Sequence, residues 1–165
     1  MKGFKSAIEK DAVGNVNFRK VLYTSENSQL VLMSLLPLEE IGSEIHENND
    51  QFFRVEKGHG KCIIDGNEYE LNDGDAVIVP RGARHNVINL SEDSDLKLYT
   101  IYSPPHHKDG IVRATKKDAE TIEEEFDGVT TEDLPDKEGH HVYSKPPGND
   151  YPVLASYDSE AVKCG

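Results

Sequence analysis

The 165-residue sequence is poor in cysteine, in positive charge and in long apolar runs, and each scarcity removes a class of protein. Cys62 and Cys164 lie far apart with no CxxC spacing, which gives neither a disulfide framework nor a thiol-based zinc site. Eighteen Lys and Arg stand against 31 Asp and Glu, a net charge of −13. That balance argues against any broad contact with nucleic acid or anionic lipid, both of which need a basic face. Purely apolar runs span only a few residues, too short for a membrane-crossing helix. The opening MKGFKSAIEKD is charged throughout and lacks the apolar centre of a signal peptide. The expectation is a soluble, cytoplasmic, acidic protein with no nucleic-acid or membrane partner. A chain of this length buries roughly 70% of its unfolded surface, enough for a real core.

The charge is unevenly spread. Residues 109–165 hold 14 acids against 6 bases in 57 residues, with few large apolar side chains. Within TKKDAETIEEEF a helix is expected over Lys116 to Phe126, with Thr115 as N-cap and Asp118 three residues on in a capping-box position. Its acidic surface reads as a solvated face. Beyond it the chain is dense in Pro, Gly, Asp and Ser and shows no period of 2 or 3.6. The expected organisation is an N-terminal segment over 1–14, a folded unit over 15–113, an acidic helix over 114–127, and an extended or partly disordered tail over 128–165.

Inside the folded unit the segments are short, β-rich and punctuated by turns. FRKVLY, QLVLMSLL, QFFRVE, DAVIV, HNVINL and LKLYTIY read as strands, and Lys61 to Ile64 and Glu68 to Leu71 flank a hairpin turn at Asp65-Gly66-Asn67. Short strands at roughly ten-residue spacing point to an all-β sandwich or barrel, with a jelly roll as the expected form.

Residues 74–89 carry the most specific pattern: Gly74, five residues, Pro80, one, Gly82, two, His85, three, Asn89. Pro80 closes a strand, Gly82 permits a tight turn, and the turn delivers His85 at the start of the next strand. Alternation then puts His85, Val87 and Asn89 on one face. This spacing resembles the second signature motif of the cupin superfamily, with every fixed position filled.

The first cupin motif is matched in altered form upstream. The family pattern is a glycine, five residues, His-x-His, three or four residues, Glu, six residues, Gly. Aligned on Gly58, His46 matches the second His, Glu44 replaces the first, Gln51 replaces the Glu, and Leu38 stands in for the opening glycine. Stretches such as NFRKVLYT, DQFFRVEKGHG and LKLYTIYSPPHH resemble a group of small bacterial and archaeal cupins often labelled mannose-6-phosphate isomerase-like. That likeness covers about residues 15–135. It implies a cupin jelly-roll (double-stranded β-helix) barrel, a metal site formed by Glu44, His46, Gln51 and His85, and a homodimer paired sheet to sheet.

Two imidazoles, a carboxylate and an amide oxygen form an N/O donor set that suits Fe, Mn, Ni, Co or Zn. One carboxylate leaves a formal charge of +1, which stabilises bound water or a substrate enolate. Two His and a carboxylate also resemble the facial triad of oxygen-activating iron enzymes. Glu44 could instead face solvent, and Gln51 could serve only to hydrogen-bond a core histidine. If Lys97 faces solvent, then Leu98, Thr100 and Tyr102 turn inward and, with Phe53, line a substrate pocket. Arg54, Arg81 and Arg84 are the nearest arginines for a phosphate, but surface positions are the plainer reading. His106 and His107 could cover the barrel mouth as proton shuttles, with His107 joining Glu44 as a catalytic candidate; an exposed polar loop is the plainer reading. Cys62 is expected to pack as a small apolar group.

Two function classes follow. One is a metal-dependent enzyme on a small organic molecule, either an oxygenase using an enolate-like substrate or an isomerase using enediol chemistry. The other is a non-catalytic cupin that binds a small molecule or a metal.

Overall fold

The computed structural model describes residues 2–122 and 124–133. Among the described residues ten strands form two antiparallel sheets. The larger has the order β10-β1-β2-β9-β4-β7 and the smaller β3-β8-β5-β6. The larger sheet is built from β1 (Arg19–Thr24), β2 (Gln29–Leu35), β4 (Asp50–Lys57), β7 (Ala76–Val79), β9 (Leu96–Ser103) and β10 (Val112–Arg113). The smaller is built from β3 (Glu44–Ile45), β5 (Gly60–Ile64), β6 (Asn67–Leu71) and β8 (Arg84–Asn89). This is the all-β jelly roll expected from the strand pattern.

The core lies between the sheets, where alternation turns Val31, Met33, Phe53, Val55, Cys62, Val87 and Leu98 inward, each at most 2% exposed. Burying an aliphatic or aromatic side chain of this kind contributes about 1.5–3 kcal/mol, so this face fixes the strand register. Cys62 packs among them, and burial pushes its thiol pKa up to about 11. The β5–β6 hairpin turns through Asp65 and Gly66 at φ 46° and 83°, the paired left-handed conformation that a two-residue hairpin turn requires.

A short helix, α1 (Ile8–Gly14), was not anticipated within the N-terminal segment. It packs on the outer face of the larger sheet, against β2, β4 and β9. With the helix in place, the condition that Lys97 faces solvent is not met. Lys97 is only 8% exposed, and its Nζ donates to Asn15 O at 2.7 Å and Ser34 Oγ at 2.8 Å while pairing with Asp95 at 2.9 Å. The inward direction of Leu98, Thr100 and Tyr102 nevertheless holds, since each is at most 1% exposed.

The second helix, α2 (Lys116–Thr121), is shorter than the span expected for it. Thr115 caps it as anticipated: its hydroxyl accepts from Asp118 N at 3.2 Å, and Asp118 Oδ2 accepts from Thr115 N at 3.1 Å. After α2 the chain returns across β9's exit, with Lys108 N donating to Glu124 O and Phe126 N donating to His106 O. Residues 130–132 then dock on the end of β1. Thr131 N donates to Thr24 O at 3.0 Å, and the Glu132 carboxylate accepts from Lys2 N, Gly3 N and Tyr23 Oη. The tail expected over 128–165 lies outside the described residues from 134 onward, as does Cys164. Among the described residues no helix is long and apolar enough to cross a membrane.

Candidate metal centre

The two halves of the sequence pattern meet where β3 pairs with β8. Glu44 and His85 are direct antiparallel partners, so their side chains stand side by side on the inner face. His46 follows β3, two residues past Glu44 on the same side, and its ring centroid lies 5.2 Å from that of His85. Gln51 enters from the opposite sheet near the start of β4, facing Val79 and Tyr102 in register. The turn before β8 runs as expected, with Gly82 at φ 79°. His85, Val87 and Asn89 are all buried on one face. β8 begins one residue before His85, at Arg84.

One ligand atom from each of Glu44, His46 and His85 can be chosen so that all lie within 4.8 Å of one another. Glu44 Oε2 is 3.2 Å from His46 Nε2, and Gln51 Oε1 is 3.0 Å from His85 Nε2. Ligands held at roughly 2.1 Å and at right angles about one ion stand about 3.0 Å apart, so both separations suit neighbouring positions on a shared cation. The polar atoms are also poorly satisfied without one. His46 Nε2 is buried and makes no hydrogen bond of good geometry despite its closeness to Glu44. The Gln51 amide nitrogen makes none either, although the Tyr102 hydroxyl is close enough to feel the amide.

His85 Nδ1 lies 3.2 Å from Ala83 O. Donation of the Nδ1 proton to that carbonyl leaves a lone pair on Nε2, the arrangement a metal-ligating histidine adopts. Nε2 then faces an amide oxygen, so two acceptors confront each other. A cation between them resolves this. Reversing the amide would give His85 a donor and orphan the oxygen in place of the nitrogen.

Burial favours the neutral form of His85 and holds its pKa down; the Ala83 hydrogen bond opposes that shift without cancelling it. Burial also opposes ionisation of Glu44, but the close approach of His46 and the proximity of Arg19 and His85 outweigh it, so the carboxyl sits below its usual value. A neutral His85 beside an ionised Glu44 carboxylate matches the protonation states a divalent metal requires.

Beside this group opens a cavity of about 510 Å³ whose lining includes Arg19, Glu44, His46, His106, His107 and Lys116. His106 and His107 are therefore not an exposed loop. His107 is 4% exposed, with Nε2 3.3 Å from the Tyr102 hydroxyl, and burial holds its pKa well below the usual imidazole value. His106 packs its ring 4.3 Å from His46 and stacks on Tyr102 at 5.3 Å, and burial brings its pKa down to about 4. The α2 residues Lys116, Ala119 and Glu120 also line the cavity, which corrects the reading of this helix as only a solvated face.

The expected pocket residues take a different place. Phe53, Leu98, Thr100 and Tyr102 all face inward but pack in the buried interior, and the cavity lining is a separate set. Among them Tyr102 comes nearest to the site, through its contacts with His46, His106 and His107. Arg81 and Arg84 are exposed, and Arg54 pairs with Glu56 at 3.6 Å. The arginine that does reach the cavity is Arg19, which sequence reasoning passed over. The available signal was its place two residues before the buried Val21, on the inward side of β1.

Comparison with known proteins agrees with this architecture. The Cupin_2 family profile, a cupin domain, matches residues 31–102. An uncharacterized Bacillus subtilis protein, YrkC, is 43% identical over 129 residues, covering 74% of this chain and 69% of that protein. An uncharacterized protein of Acanthamoeba polyphaga mimivirus is 42% identical over 108 residues, covering 64% of this chain and 68% of its own length. The crystal structure of BH2720 from Bacillus halodurans superposes with a TM-score of 0.71 at 38% identity, covering 73% of this chain and 96% of that one. With its two-sheet jelly roll, its motif spacing and relatives of this closeness, the chain belongs to the cupin family.

Proposed function

We propose that the protein holds a divalent metal through Glu44, His46, Gln51 and His85 and acts on a small organic molecule at the barrel mouth, as an oxygenase- or isomerase-type enzyme. The observation that carries this reading is the gathering of the Glu44, His46 and His85 ligand atoms within 4.8 Å, beside a cavity of about 510 Å³. A divalent ion there would supply Lewis acidity and, in the case of iron, a redox centre.

The chain's own residues supply the rest. Glu44 contributes the negative charge of the donor set, and the Ala83 carbonyl orients the His85 ring. His106, neutral at neutral pH and beside His46, offers a base from the mouth, and His107 lies behind it against Tyr102. The cavity has the size of a small-molecule site. Pairing of two chains sheet to sheet belongs to the same proposal, and light scattering tests it.

Oxygen uptake with enolisable diketones and isomerisation of sugar phosphates, each on metal-loaded and chelated protein, test the chemistry. Turnover that disappears on chelation and returns with metal supports the enzyme reading. Turnover unaffected by chelation overturns the metal-dependent part. Metal bound at stoichiometry with no turnover assigns the protein to the non-catalytic binding class.

A further inference from the structure

We propose that Arg19 is the anion-recognition residue of this cavity, and that the molecule taken up there is a small organic carboxylate bearing a second oxygen function. The inference rests on the reading of the cavity as a ligand site beside a metal, and it names the class of ligand.

Arg19 opens β1 on its inward side and is 9% exposed. A buried guanidinium is costly unless carboxylates or carbonyls satisfy its fork of donors. Among the described residues Arg19 has no such partner. Its Nε is buried without a hydrogen bond, and the contact the guanidinium makes is with the Phe18 ring, 5.9 Å from the centroid. The same side chain lines the cavity, and its charge is felt by Glu44, His106 and His107. An unpaired cation facing a half-open cavity next to the candidate metal-ligand cluster is the arrangement expected of a group that a ligand completes.

The surroundings select the kind of anion. A guanidinium fork matches a carboxylate in two parallel hydrogen bonds. The other cation of the lining, Lys116, is engaged by Glu120 at 3.8 Å, and Glu120 and Glu125 add negative charge to the rim. One free cation among rim carboxylates suits a singly charged carboxylate and disfavours a doubly charged phosphate. Arg54, Arg81 and Arg84, which could have strengthened a phosphate site, are not in the lining. The donor cluster shares the cavity with Arg19, so an acid with a hydroxyl or keto oxygen could offer that oxygen to the metal while its carboxylate meets the arginine.

The test is calorimetric titration of the full chain, wild type, Arg19→Gln and Arg19→Lys, each Mn(II)-loaded and metal-free, with folding checked by circular dichroism. The probes are pyruvate and lactate, against the neutral pyruvamide and lactamide and against glycerol 3-phosphate. The expected result is binding of at least one carboxylate in preference to its amide. Arg19→Gln should weaken that binding roughly 10- to 100-fold and Arg19→Lys should weaken it less, the scale set by a charge-assisted hydrogen-bond pair. Manganese content should be equal in all three proteins. Carboxylate binding that depends on Arg19 in metal-free protein, with no manganese retained, would sustain this inference while the metal reading fails. Equal binding of acids and amides, unchanged binding in a folded Arg19→Gln, or no carboxylate binding in wild type would overturn it. Tighter, Arg19-dependent binding of glycerol 3-phosphate would overturn the choice of carboxylate.

Discussion

Gln51 Oε1 stands 3.0 Å from His85 Nε2, and both atoms are acceptors once Nδ1 of that histidine donates to Ala83. Gln51 occupies the place of the Glu in the cupin pattern, so its amide trades a negative charge for a neutral donor. Gln51→Glu should therefore tighten divalent-metal binding by about tenfold or more, the equivalent of 1.4 kcal/mol. The same variant should be less stable than wild type when metal-free, because the new carboxylate is buried and its neighbour His85 is itself kept from ionising by burial. Competitive metal titration and denaturant melts with and without metal check both halves. Weaker metal binding in the variant would contradict Gln51's place in the site.

Leu38 sits where the cupin pattern has its opening glycine, and its φ is +59°. The position has kept the glycine's conformation while carrying a side chain that is 63% exposed. A left-handed residue of this kind costs about 1–2 kcal/mol, and a glycine returns part of that relief as chain entropy in the unfolded state. Leu38→Gly should raise stability by up to about 1 kcal/mol in a urea titration. A loss of stability would contradict the strain argument.

Gly60 is needed for a different reason, namely space. A Cβ there would come 2.6 Å from Ile88 O and 2.7 Å from Leu96 Cδ2, inside the β5–β8 pairing. Gly60→Ala should cost about 1–3 kcal/mol as an overpacked site, read as a lowered denaturant midpoint. Gly66→Ala meets no atom within 4 Å, and its cost should come from its φ of +83° alone. A neutral Gly60→Ala would show that the barrel wall gives way there.

Most of the strands could be read from the sequence because alternation and turn residues mark them directly: FRKVLY, DAVIV and LKLYTIY fall within two residues of β1, β7 and β9. The gathering of Glu44, His46 and His85 could be read too, because fixed spacing around a tight turn constrains where His85 emerges. Features without a local signature were not legible. α1 is seven residues long and owes its place to packing on the sheet, and β3 is two residues long. The burial of Lys97 comes from what covers it, which is the end of α1, and the unpaired state of the inward-facing Arg19 shows only once the cavity it lines is seen. The part α2 takes in the lining depends on a chain reversal that no period in its own residues announces.

The histidines give the metal-free protein a defined acid sensitivity. Burial holds His85 and His107 below the usual imidazole value and brings His106 down to about 4, against 6.5 for a free side chain. Between about pH 6.5 and 4 the unfolded chain binds protons that the folded chain resists, so stability falls as pH falls through this window. Glu44, held below its usual 4.5, loses its own contribution only at lower pH. Chelated protein should show a lower urea midpoint at pH 5 than at pH 7, and His106→Asn should flatten that slope. A flat profile in wild type would contradict the burial of these rings.

The most direct measurement is elemental analysis of untagged protein purified without chelator, alongside Glu44→Ala and His85→Ala. Near-stoichiometric Fe, Mn, Ni, Co or Zn in wild type, lost from both variants, is the expected result. Loss from His85→Ala alone would keep the site and remove Glu44 from it. No metal above background in wild type, even after reconstitution, would contradict the metal centre.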